Sequence, residues 1–316
     1  MTTSDRALVF DFGGTKLAAA IIEAKTGTII KEERTSTPAT QGAETCVQSM
    51  LKMGDCLNDG QQFRGIGISF GGPVTRDRQH CVKSQHVTGW DNCPLIQIFE
   101  DHYQLPAAMD NDANLAALGS WFYDAHQKPE NFLYVQASTG IGGGLVLGRK
   151  LYRGAGIAGE FGHIIVEGNQ RTCMCGNIGC IETICAGWGI AKQAKEILST
   201  SKPHSFWKTI PLAKITAKNV FDSIRAGDDA MKTMIDEAFT HFGVALSNAV
   251  ALVGVEQVIL GGGIFQSSDI LAPIILPVVG QNLPPYMKGS CQISFSTLAG
   301  RETLLGAALL TTEIYS

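Results

Sequence analysis

The stretch AGEFGHIIVEGNQRTCMCGNIGCIE, residues 158–182, packs Glu160, His163, Cys173, Cys175, Cys180 and Glu182 into one short span. One imidazole and three thiols make a full tetrahedral set for zinc, which prefers such donors. Gly176 and Gly179 fall between the last two cysteines, where the chain must turn back on the metal. Four protein ligands leave no open position, so the zinc is expected to be structural. Three cysteines so closely spaced, interleaved with glycines, speak against unpaired buried thiols. An odd total of nine cysteines, with no signal peptide, speaks against disulfides. Glu160 and Glu182 flank the ligands. A metal that fixes the loop would fix both carboxylates, ready to accept hydrogen bonds from a polyhydroxylated ligand. Zinc would take one ring nitrogen of His163 and leave the other for a neighbouring group or for that ligand.

GEFGH…CxCGxxGCxE resembles the signature of the ROK family (repressors, open reading frames and sugar kinases). The resemblance implies an α/β fold with two lobes of the ribonuclease H-like, actin/hexokinase type, with ATP and a sugar bound between them. It also implies a homodimer.

The chain has 316 residues, enough for two lobes with separate cores. Residues 1–115 with 300–316 are expected to form a small N-terminal lobe, and 116–299 a larger one carrying the zinc loop. A net charge of −4 gives no nucleic-acid footprint. No apolar run looks long enough to span a bilayer, and MTTSDRALVF is no leader, so a soluble cytoplasmic protein is expected. Cys46, Cys56, Cys81, Cys93, Cys185 and Cys291 read as reduced thiols without assigned function.

Outward from the cysteine loop, the other motifs are glycine turns between apolar strands. Residues 7–10 and 17–22 read as strands joined by Asp11-Phe12-Gly13-Gly14-Thr15-Lys16. Backbone N–H groups at such a turn can approach a phosphate, with Thr15 and Lys16 adding donors. Asp11, at the strand end, is placed to hold a hydrated magnesium. The turn resembles the first phosphate motif of the sugar kinase, heat-shock and actin superfamily, which usually has Ile where Phe12 stands. Residues 132–137 and 145–147 repeat the plan around Ser138-Thr139-Gly140-Ile141-Gly142-Gly143-Gly144. Two related halves follow, with Thr139 and Gly140 in a second phosphate loop.

A strand at 64–70 ends in Gly71-Gly72-Pro73, and the resemblance puts Gly72 beside the sugar. Thr75 and His86 stand where the family commonly has an acidic residue and Asn, which touches substrate identity more than reaction. Asp110-Asn111-Asp112-Ala113-Asn114 joins a strand at 105–109 to a helix at 115–121. Asp112 there reads as a helix cap or as a general base. The NDAN-like turn of the family carries the catalytic Asp, which implies Asp112 as base and Asn111 on a sugar hydroxyl. A helix N-terminus would keep that carboxylate ionised.

Residues 44–57 read as a surface helix, 190–198 as a helix and 199–211 as an exposed insertion. A long helical stretch starts at Thr216, and another covers residues 270–279. The strand at 255–260 closes in Gly261-Gly262-Gly263, and the resemblance implies that Gly262 and Gly263 belong to the adenosine motif. Residues 293–296 form a late strand and 303–310 a C-terminal helix that, by the resemblance, crosses back to the first lobe. The expected function is ATP- and magnesium-dependent phosphorylation of a hexose or N-acylhexosamine, with glucose favoured. The alternatives are a sugar sensor without catalysis and a kinase that uses polyphosphate.

Overall fold

The computed structural model describes residues 5–58, 60, 62–84, 87–200 and 203–312; His86 lies outside the described residues. The strands are β1 (Arg6–Phe12), β2 (Lys16–Glu23), β3 (Thr28–Ser36), β4 (Gly65–Phe70), β5 (Ala107–Asn111), β6 (Asn131–Ala137), β7 (Ile141–Leu147), β8 (Lys150–Tyr152), β9 (Gln257–Gly261) and β10 (Gln292–Phe295). The helices are α1 (Gly42–Leu57), α2 (Leu95–Tyr103), α3 (Asp112–Tyr123), α4 (Glu182–Cys185), α5 (Gly187–Thr200), α6 (Ala217–Arg225), α7 (Asp229–Val253), α8 (Ser268–Asn282) and α9 (Glu302–Leu310).

Two five-stranded sheets repeat one order: β3-β2-β1-β4-β5 and β8-β7-β6-β9-β10. In the first, β2 is antiparallel to β1 and β3, while β1, β4 and β5 run parallel. In the second, β8 is antiparallel to β7, while β6, β9 and β10 run parallel. The duplicated glycine hairpins thus sit at equivalent places, at the centre of each sheet.

By contacts the chain divides into Met1–Pro129 with Gly144–Gly159 and Leu298–Ser316, and Glu130–Gly143 with Glu160–Thr297. The sequence places the boundary after residue 115; here all of α3 stays with the first unit, because α3 packs against α9.

In the first unit, alternation along β1 feeds two cores. Leu8, Phe10 and Phe12 join α1 and α2 residues such as Met50 and Phe99 on one face. Ala7 and Val9 join Leu115, Leu304 and Leu305 from α3 and α9 on the other. Each large side chain buried in this way stabilises by roughly 1.5–3 kcal/mol. The helix expected at the surface, α1, buries Ala43, Cys46, Val47, Met50, Leu51 and Leu57, a full stripe at helical spacing.

Three further expectations change. The long helix starting at Thr216 is two, α6 and α7, divided at Gly227, which has φ +92°. Asp228 then caps α7 by accepting from the Met231 amide. The exposed insertion at 199–211 buries Trp207, whose Nε1 donates to Asp228 Oδ2 at 2.6 Å. Ile264–Asn282, which contains α8, is long and apolar enough by length and composition to cross a membrane. Here its Leu271, Ile275 and Val279 are buried and it packs against α7, with a third of its apolar window buried.

Helices α3 and α9 meet through glycines. A methyl group on Gly306 would overlap the Leu115 carbonyl, and one on Gly119 would overlap the Glu302 carbonyl. We expect Gly306→Ala to cost about 1–3 kcal/mol through overpacking. Gly280→Ala, at a position with nothing within 4 Å, should instead gain about 0.5–1 kcal/mol. Thermal unfolding of the two variants checks this pair; an unchanged melting temperature for Gly306→Ala would refute the close approach.

Candidate active site and metal centre

In the first unit a polar row crosses the sheet. The register puts Arg34 opposite Ala18, Ala18 opposite Asp11, Asp11 opposite Ser69, and Ser69 opposite Asp110. Residues so paired share a face. Ser69 donates its hydroxyl to Asp11 Oδ1 at 2.7 Å. Burial pushes the Asp11 carboxyl up; the Ser69 bond and the Arg34 charge pull it back down. Directly after Asp11 the hairpin closes with Gly13 N donating to the Lys16 carbonyl at 3.0 Å. Thr15 and Lys16 are exposed. The Gly71 amide donates to the Phe12 carbonyl at 2.9 Å, which ties the Gly71-Gly72 turn to this one.

The β5–α3 junction stands beside them. Asn111 is the N-cap of α3, its Oδ1 accepting from the Ala113 amide at 2.9 Å and the Asn114 amide at 3.4 Å. Its Nδ2 donates to the Gly72 carbonyl at 3.1 Å. Asp112 is the first helical residue, partly exposed, with Oδ1 accepting from the Ala113 amide at 2.9 Å. The cap is therefore Asn111, and Asp112 stands at the positive end of the helix dipole, which favours an ionised carboxylate.

The second unit holds the cysteine loop. Nitrogen and sulfur atoms of His163, Cys173, Cys175 and Cys180 all lie within 4.8 Å of one another. Cys175 and Cys180 Sγ are 3.7 Å apart; two sulfurs bound to one tetrahedral zinc would be about 3.8 Å apart. His163 turns Nδ1 to Cys173 Sγ, at 3.9 Å, and Nε2 to Glu160 Oε2, at 3.8 Å. The donor set fits zinc, with the second ring nitrogen left for Glu160 or a ligand. Ile165, Met174 and Ile178 of the loop are exposed, while Phe161, Val166 and Ile181 are buried. Asn169 Nδ2 braces it from inside, donating to the Cys180 carbonyl and to Thr183 Oγ1.

Glu160 is exposed, but Glu182 is buried, its Oε2 accepting from the Ile141 amide at 2.9 Å. One oxygen of Glu182, a residue expected to bind the sugar, thus holds the second glycine hairpin, next to Gly140. Thr139 is exposed at that turn. Ser138 Oγ accepts from the Gly263 amide at 3.1 Å and joins the turn to Gly262-Gly263. Gly262 has φ +90°, and a Cβ there would strike the Ala137 carbonyl.

Asp11, Gly13–Lys16, Gly72, Asn111 and Asp112 therefore come together in one unit. Thr139, Gly140, Gly262, Gly263, Glu160, His163 and Glu182 share the other. Sequence reasoning missed Ser69, Ser138, Asp110 and Arg153. A lone serine in the apolar run of β4 was a usable signal; for Arg153, distant in sequence from its partner Asp110, there was none.

A family model described as "ROK family" matches residues 8–314. A glucokinase of Halalkalibacterium halodurans is 31% identical over 252 residues, 78% of this chain and 75% of its own. An N-acetylmannosamine kinase of Haemophilus influenzae is 27% identical over 96% of this chain and 94% of its own. The crystal structure of a ROK family glucokinase from Streptomyces griseus, in complex with glucose and AMPPNP, superposes with a TM-score of 0.84. It is 27% identical and covers 96% of this chain and 98% of its own. These likenesses bear out the fold class read from the cysteine loop and the paired glycine hairpins.

Purified protein should carry about one zinc per chain, since four protein donors fill its tetrahedral shell. Cys175→Ser should lose it and lower the melting temperature, with metal analysis and thermal unfolding as readouts. Stoichiometric zinc retained in that variant would exclude Cys175 as a ligand.

Proposed function

This chain belongs to the ROK family, and on that premise we propose that it transfers the terminal phosphoryl group of ATP to a hydroxyl of a hexose or N-acylhexosamine. The observation that carries this reading is the β5–α3 junction. Asn111 does the capping, which leaves Asp112 partly exposed at a helix N-terminus with its carboxylate favoured as the anion. Asp112 takes the proton of the attacking hydroxyl as its oxygen bonds to phosphorus and ADP departs.

Asn111, with one N–H on the Gly72 carbonyl, keeps its other amide proton for a sugar hydroxyl. Glu160, His163 and the second oxygen of Glu182 hold further hydroxyls. The amides of Gly14, Thr15, Thr139 and Gly140, with the side chains of Thr15 and Lys16, draw on the phosphates, and Gly262-Gly263 leaves room for the nucleoside. Asp11 would hold magnesium through water, and that ion would neutralise charge on the phosphates. Orientation and electrostatics supply most of the acceleration. Glucose is the favoured acceptor, given the glucokinase among the relatives. All nine cysteines are unpaired, which supports a reducing, cytoplasmic setting.

The test is ADP release from magnesium-ATP against glucose, mannose, fructose, allose, N-acetylglucosamine and N-acetylmannosamine. One sugar should stimulate turnover strongly. Asp112→Asn should lower kcat by about 10²–10⁴-fold, the usual share of a general base, while sugar still binds by calorimetry. ATP hydrolysis as fast without sugar as with it would sink the reading.

A further inference from the structure

We propose that Arg153 is a positioning residue of the acceptor site, acting on Asp112 through the buried carboxylate of Asp110. The inference rests on Asp112 as the base. Asp110 lies in β5 and is 1% exposed. Its Oδ2 accepts from Arg153 Nε at 2.6 Å. Its Oδ1 accepts from the Asn111 amide at 2.8 Å and from Asn114 Nδ2 at 2.9 Å.

Those two donors belong to residues on either side of Asp112. The Asn111 amide fixes the peptide leading into the base. Asn114 sits in the first turn of α3, and as a carboxylate only accepts, it must turn its NH₂ to Asp110. Its buried Oδ1 has no partner among the described residues, so Asp110 alone holds that side chain. One carboxylate therefore sets the entry and first turn of the helix that presents Asp112.

That carboxylate needs a cation. A charge buried and left unpaired is strongly unfavourable, and relief comes by shifting, hydrating or taking up a proton, each of which loosens the amide bonds. Arg153, the residue after β8, supplies the cation and is itself pinned: its carbonyl accepts from the Gly156 and Ala158 amides at 2.7 and 3.2 Å. Its Nη1 and Nη2 make no hydrogen bond among the described residues, so Asp110 is the group it serves. A pair that only held the fold would have no reason to affect kcat. A pair that sets the base would, since an error of about 1 Å in a reacting group costs up to about a hundredfold in rate.

The experiment compares Arg153→Met, Arg153→Lys and the double variant Asp110→Asn/Arg153→Met with wild type, by steady-state kinetics and thermal unfolding. Arg153→Met should lower kcat about ten- to a hundredfold with the KM for ATP within about twofold, because the nucleotide turns are untouched. Arg153→Lys, whose ammonium falls within about one bond length of Nε, should recover most of the loss. The double variant leaves no charge unpaired, so it should regain stability yet stay slow. It carries the same test should Arg153→Met fail to fold. Wild-type kcat in the double variant overturns the proposal and leaves Asp112 as base intact. Full activity of Asp112→Asn, or silence of the wild-type chain with every sugar, overturns the underlying assignment and this inference with it.

Discussion

The constraint on which the first unit depends is that two carboxylates, Asp11 and Asp110, lie in one row of its sheet with only Ser69 between them. Each carboxylate has its own partners. Arg34, in the same row on β3, pulls the Asp11 carboxyl down by its charge, and Arg153, from the segment after β8, pairs with Asp110. Ser69 satisfies an oxygen of Asp11 directly. The strand order is what makes this possible, since it places the basic residue of the outer hairpin strand in the same row as two acids on parallel strands. The glycine turn follows Asp11, and Asn111 and Asp112 follow Asp110, so the chemistry grows from the ends of this one row.

The second unit solves a different problem. Its cysteine loop exposes three large apolar side chains, Ile165, Met174 and Ile178, while Phe161, Val166 and Ile181 are buried. The four donors, if they hold a metal, would add to that packing, and Glu182 extends the order inward. Two residues beyond Cys180, it reaches the Ile141 amide and so joins the loop to the second glycine hairpin. Ser138 continues the chain of bonds to Gly263. The groups expected to read the sugar and those expected to hold phosphate thus form one bonded body within this unit.

Much of this was legible because it is written in local pattern. Glycines between apolar runs mark both hairpins, and thiols at close spacing with one histidine mark the metal set. The NDAN turn marks a helix start. What stayed hidden depends on partners distant in sequence. The pairing of Asp110 with Arg153 joins residues whose spacing carries no period. Glu182 looked free to bind a ligand because nothing nearby foretold its bond to Ile141. The edge strand β3, TIIKEERTS, carries charges in place of an apolar alternation and so does not announce itself. The division of the helix after Thr216 turns on Gly227, a glycine whose left-handed backbone becomes evident only in the fold.

The seat of α9 also bears on how the protein is made. On one face of the first sheet, Ala7 and Val9 are covered by Leu304, Leu305, Ala307 and Ala308. Until those residues leave the ribosome, that face, and the α3 helix that packs on Gly306, have nothing to close against. The first unit takes its strands from early in the sequence yet cannot close until residues 304–308 have been made. The second unit, all of whose residues precede Leu298, is complete earlier. Until residues 304–308 follow, α3 has no seat, and an apolar sheet face stands open for a chaperone to shield.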